Sequence, residues 1–208
     1  MKPFFRCILF ALLFSPLCNG QNQDFGMAGL KGLSSVQLAD LANGEIVFLN
    51  ADNKNDNKSS LIEAALVFSA TPATTWKLIS KTEDQPKYID HCKEVKVKNR
   101  SSARASEVHR VGNSLLTFNY GVIQNYFPEK LCLSWMLDTS YPENDLVSLR
   151  GYWQFYPYGK GKTLARYGSN VSFKNLPEFV ENMFSKGGVK DALKSVKKYV
   201  DSGGTYRK

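Results

Sequence analysis

The chain has 208 residues and a net charge of +8, with 43% hydrophobic and 12% aromatic side chains, enough apolar material to fill one sizeable core. With 22% charged residues, 15 glycines and 8 prolines, it is neither a disordered polyelectrolyte nor a collagen-like repeat. Two histidines and four scattered cysteines exclude a His- or Cys-rich metal cluster, and no cofactor is expected.

The first element in chain order is a targeting segment. Lys2 and Arg6 precede an apolar run over residues 7–17, which Cys18, Asn19 and Gly20 close with small or polar side chains. That is the layout of a secretory signal. A run of that length covers only about half of a hydrocarbon core of about 30 Å, so it is too short to span a membrane as a helix. Cleavage after Gly20 leaves 188 of the 208 residues, and losing Lys2 and Arg6 lowers the charge from +8 to +6. The product is expected in the periplasm or secreted. The rival reading is a lipid anchor on Cys18, but Leu17 is bulky where a lipoprotein signal carries a small side chain. Basic residues are dense at 93–110 and 190–198, where Asp191 breaks the run, and otherwise spread out. This fits a solvated face better than a nucleic-acid surface, and it leaves contact with an anionic membrane surface open.

Residues 21–43 read as a mobile lead-in with one helical turn near 38–42. Residues 44–50 (GEIVFLN) are a short strand, and 51–60 (ADNKNDNKSS) a polar loop. A strand at 61–69 follows, with Ile62, Ala64, Leu66 and Phe68 on one face by the two-residue period. Thr71 caps the next helix with Pro72 at its first position, and a second short helix or turn spans 83–89. Strands are then predicted at 92–99, 104–111, 114–125, 130–138, 146–156 and 162–173, separated by Gly-, Pro-, Asn- and Ser-containing turns. Such short connections imply an antiparallel meander. Leu131, Leu133, Trp135 and Leu137 share one face, and Leu149, Trp153 and Phe155 another, while Ser134, Ser148, Arg150 and Gln154 point the other way, so one face is expected to be wet. The apolar face is covered by a long helix over 176–200, which Gly187 and Gly188 could kink; residues 203–208 are a tail.

This order resembles the helix-grip arrangement of the START-like or SRPBCC superfamily, and particular stretches resemble it too. They are the strand-to-helix entry at 68–79 (FSATPATTWKLI), the next helix at 84–89 (DQPKYI), the strand at 92–97 (CKEVKV), the last strand at 163–167 (TLARY) and the start of the gripping helix at 176–180 (LPEFV). The resemblance covers residues 44–202 and is closest to the polyketide cyclase/dehydrase-like and coenzyme-Q-binding-like branch. It implies an α+β fold: a curved antiparallel sheet of about seven strands wrapped around a long C-terminal helix, with two short helices after the first strand. It also implies an apolar cavity between sheet and helix for a lipid, quinone or polyketide-like molecule.

In such a cavity Phe118, Tyr120, Trp135, Trp153 and Phe155 would line the sheet side and Phe179, Val180 and Met183 the helix side. Arg166 and Tyr167 are polar candidates of which only one can face inward, since neighbours on a strand point to opposite faces. Glu63 is a further polar contact if its strand twists. The run Asp90, His91, Cys92 cannot converge unaided on an extended segment, for the same reason. His109 reads as a surface or satisfied strand histidine. Cys92 and Cys132 are not expected to bridge, because the family's strand order sets their strands too far apart. Sequons at Asn57, Asn99 and Asn170 would matter in a eukaryotic host, but the compact signal and the family branch favour a bacterial envelope protein. The expected function is a monomeric binding or shuttling module. The alternative is a cyclase, dehydratase or hydrolase-like enzyme, whose mark would be a buried ionisable pair inside the cavity, and the sequence offers no convincing pair.

Overall fold

A computed structural model describes residues 24–49, 60–173 and 177–208. The signal, most of the polar loop and the Asn57 sequon lie outside the described residues. Eight strands form one sheet: β1 (Val47–Phe48), β2 (Ser60–Phe68), β3 (Cys92–Arg100), β4 (Arg104–Gly112), β5 (Thr117–Phe127), β6 (Cys132–Leu137), β7 (Ser148–Tyr158) and β8 (Lys162–Ser172). Their spatial order is β1-β2-β8-β7-β6-β5-β4-β3, antiparallel at every pairing. Helices α1 (Ser35–Ala42), α2 (Pro72–Ile79), α3 (Glu178–Phe184) and α4 (Lys186–Asp201) complete the fold with a 3-10 helix at Thr82–Lys87. Among the described residues no helix is long and apolar enough to cross a membrane.

The local chemistry explains the boundaries. Thr71 caps α2 by accepting a hydrogen bond from the Thr74 amide, and Pro72 sits where no intrahelical donor is needed. On α4, Val189, Leu193, Val196, Tyr199 and Val200 are buried, and they pack on Ile62, Ala64, Leu66 and Phe68 of β2 and on Leu133, Trp153 and Phe155. Tyr199 also stacks on Tyr88 at 4.0 Å and donates to Asp84 Oδ2 at 3.1 Å, tying the helix to the 3-10 turn. Cys92 is a free, buried thiol and does not bridge Cys132; β3 and β6 are separated by β4 and β5.

Three expectations require correction. The long terminal helix is two helices, broken at Ser185, whose backbone is extended (φ −70°, ψ 165°) and whose hydroxyl accepts from the Gly188 amide. Gly188 is what permits the break: a Cβ there would lie 2.3 Å from the Asn182 carbonyl oxygen. Second, the lead-in is attached to the domain. Ser34 and Gln37 form a reciprocal capping box that starts two turns of α1. Third, the outer face of the sheet is not simply wet, because Phe25, Leu41 and Val47 pack there on Ala65, Val67, Tyr152, Tyr156 and Leu164. The tail also returns to the domain, with the Lys208 amide donating to the Lys87 carbonyl at 3.1 Å.

Candidate functional site

Between the inner face of the sheet and helices α3 and α4 lies a cavity of about 550 Å³. Tyr120, Trp135, Trp153 and Tyr167 line it from the sheet, and Phe179 and Met183 from α3. The rings brace one another, Trp153 to Tyr167 at 4.8 Å and Trp135 to Tyr167 at 5.9 Å between centroids. Trp135 has room because Gly151 lies beneath it: a Cβ at 151 would meet the indole at 2.2 Å.

The other expected contacts lie elsewhere. Phe118 packs on Phe179 at 5.9 Å, beside the cavity. Phe155 stacks on Trp153 at 5.9 Å and meets Trp76 of α2 edge-on, which makes it core. Val180 is fully buried behind the lining. Arg166 is on the opposite face, as strand alternation dictates once Tyr167 faces inward. Its guanidinium donates to the Gly29 carbonyl at 3.0 Å and lies 4.0 Å from the Phe25 ring centroid, and burial lowers its pKa. Glu63 also faces outward, accepting from the Tyr152 hydroxyl at 3.1 Å. Asp90 and His91 are exposed and Cys92 is buried along the same cavity, where burial pushes the thiol pKa up to about 11. His91 is in the left-handed region (φ 63°), and among the described residues no group of three side chains could hold a metal.

What sequence reading missed is a polar cluster on β4. Ala105, Glu107, His109 and Val111 are buried in alternation, and Glu107 has no exposed surface. One Glu107 oxygen accepts from Thr82 Oγ1 at 2.5 Å and from the Tyr126 hydroxyl at 3.5 Å, with Arg100 Nη2 at 3.6 Å. The other is 3.0 Å from His109 Nε2. Burial works to raise the Glu107 pKa, but the His109 contact, Thr82 and Arg100 together hold it below the usual carboxylate range. A carboxylate only accepts, so Nε2 carries a proton toward it, and in the neutral ring Nδ1 then presents a lone pair. His109 lines the cavity and stacks on Tyr120 at 5.4 Å. Gln124, further along β5, also lines it, and its Oε1 has no hydrogen-bond partner among the described residues. The signal was the two-residue period itself, which puts Glu107 and His109 on one face with Val111.

Comparisons with known proteins agree with this geometry. Residues 68–197 match the model of the family described as polyketide cyclase/dehydrase and lipid transport. The protein TTHA0849 from Thermus thermophilus superposes with a TM-score of 0.58 at 18% identity, covering 70% of this chain and 100% of that one. A START superfamily protein from Mycobacterium smegmatis gives 0.54 at 15% identity, covering 68% and 97%. The Zhui aromatase/cyclase from a Streptomyces species gives 0.50 at 8% identity, covering 70% and 88%. Among curated proteins none matches the sequence. At these identities the superpositions speak to the fold.

Proposed function

Because this chain belongs to the polyketide cyclase/dehydrase and lipid transport family, we propose that it is an exported module that binds and carries a mostly apolar, ring-bearing small molecule without covalent chemistry. The observation that carries the reading is the cavity of about 550 Å³, within the range of small-molecule pockets and lined mainly by apolar and aromatic side chains, with His109, Gln124, Ser169 and Asn182 among the polar ones. Residues 1–20 would direct the chain to the periplasm or the medium and be removed. Loading at a membrane surface is supported by the basic charge of +6 left once Lys2 and Arg6 are removed and by Leu115 and Leu116, exposed by 88% and 50% on the β4–β5 turn.

Native mass spectrometry of the protein purified from its own host tests this reading. The expected result is a chain starting at Gln21, one copy per particle, with a stoichiometric apolar molecule that extraction identifies. An empty protein that also ignores a panel of lipids, quinones and polycyclic compounds would overturn it. The enzyme reading is favoured by one specific observation, the buried Glu107–His109 pair, whose histidine lines the cavity. It predicts turnover, so a recovered molecule that changes in mass on incubation with the protein would replace the carrier with a catalyst.

A further inference from the structure

His109 and Tyr120 are both more than nine-tenths buried, at 6% and 8% exposure, and both line the cavity. His109 hydrogen-bonds through Nε2 to Glu107, and among the described residues Nδ1 has no partner. The Tyr120 hydroxyl likewise has none. Neither atom is among the fully enclosed unpaired ones, which are Gln124 Oε1 and Arg166 Nε, so both open onto the cavity. The two rings are neighbours across β4 and β5, where His109 pairs with Tyr120, and lie 18° from parallel. Within the cavity lining, Nδ1 of His109 and the phenol of Tyr120 are therefore two buried, unmet polar groups carried on adjacent stacked rings.

Buried polar groups left unmet are costly, so the occupant of this place must supply both halves. We infer that the cavity selects a ligand with a hydroxyl group on its ring system, which donates to His109 Nδ1 and accepts from the Tyr120 hydroxyl. An ether or carbonyl can only accept, and leaves Nδ1 unmet; a hydrocarbon leaves both. Glu107 is the positioning residue, because its carboxylate holds a proton on Nε2, which leaves Nδ1 as the acceptor of the neutral ring. This inference rests on the carrier reading, in that it names the chemistry of the molecule carried.

The test compares 2-naphthol, 2-methoxynaphthalene and naphthalene by quenching of tryptophan fluorescence in the full mature protein. The hydroxyl compound should bind about tenfold more tightly than its methyl ether, the worth of one or two hydrogen bonds. Y120F should weaken both oxygen-bearing compounds severalfold relative to naphthalene, because each accepts from the phenol. The chain has only His91 and His109, so an H91N control assigns the imidazole nitrogen resonances. Nδ1 of His109 should shift with 2-naphthol and stay still with the ether, a readout that needs no variant at the site. Equal affinities with a still Nδ1 would overturn the hydroxyl inference and leave the carrier reading standing, with water satisfying the pair. Failure of all three compounds to bind would overturn the hydroxyl inference for this cavity, while the carrier reading stands or falls on the molecule recovered from the host.

Discussion

A carboxylate with no exposed surface is stable only if its partners outweigh the cost of removing it from water, and at Glu107 four groups do so: Thr82, His109, Tyr126 and Arg100. The sign of the pH dependence follows from the lowered pKa. A carboxyl whose folded value lies below its ordinary 4.5 contributes stability that is fully present above 4.5 and is lost as pH falls below it toward the folded value. Urea unfolding should therefore show stability falling in that acid window, with a shallower fall in E107Q, which loses about 1–3 kcal/mol at pH 7. Equal acid slopes in the two proteins would place the titration on the other carboxylates with lowered pKa values, Asp24, Glu83, Asp84 and Asp138. At this scale the sequence was legible by face more than by partner. Strand period placed Trp135 and Trp153 on the apolar faces and left Arg166 and Tyr167 as alternatives, but nothing local to Glu107 announces Thr82 or Arg100, which reach it from the 3-10 turn and from the end of β3.

Strands were the readable elements because half of each is bound to one apolar face, whereas junctions depend on contacts distant in sequence. The apolar period through α3 and α4 is nearly continuous, so residues 176–200 read as one helix; the break depends on Ser185 capping α4 and on the Asn182 and Met183 carbonyls closing against Gly188. In G188A the new methyl would lie 2.3 Å from one carbonyl oxygen and 2.6 Å from the other. Displacing α3 should cost about 1–3 kcal/mol and, because Phe179 and Met183 ride on α3, weaken ligand binding as well. Thermal melts paired with a binding titration check this, and a destabilised variant with unchanged affinity would mean that α3 does not form the cavity wall in solution. The N-terminal segment had a similar blind spot. Arg166 looks like a pocket anion-binder in isolation, but Gly29, Lys31 and Phe25 hold it on the outer face. R166M should expose residues 24–33 to limited proteolysis and leave ligand affinity unchanged, since the two faces of β8 are independent; a loss of affinity would tie the clasp to the cavity.

For the whole molecule, the order of elements was legible because short turns allow only an antiparallel meander, and a meander with one apolar face needs the terminal helix as its cover. The cavity was not legible, because its volume is the difference between what the sheet curvature encloses and what the side chains fill, and that difference turns on small residues such as Gly151. The domain is thus a core with a space in it, and filling that space should stabilise it. A ligand present at about a hundred times its dissociation constant adds about 2.7 kcal/mol. At roughly 2–4 °C per kcal/mol for a domain of this size, the loaded protein should melt about 5–11 °C above the same protein after solvent extraction. G151A is the control that separates cavity from core. Its methyl would strike the Trp135 indole at 2.2 Å and the Gly168 carbonyl oxygen at 2.5 Å, driving the ring into the cavity and straining the β7–β8 pairing there, while the Tyr88–Tyr199 stack and the contacts of α4 on β2 are untouched. The variant should fold, show a ligand-induced shift at most half that of the wild type, and recover binding for smaller ring compounds before larger ones. A full shift for every ligand size in G151A would mean that the molecule carried is held away from the Trp135 wall.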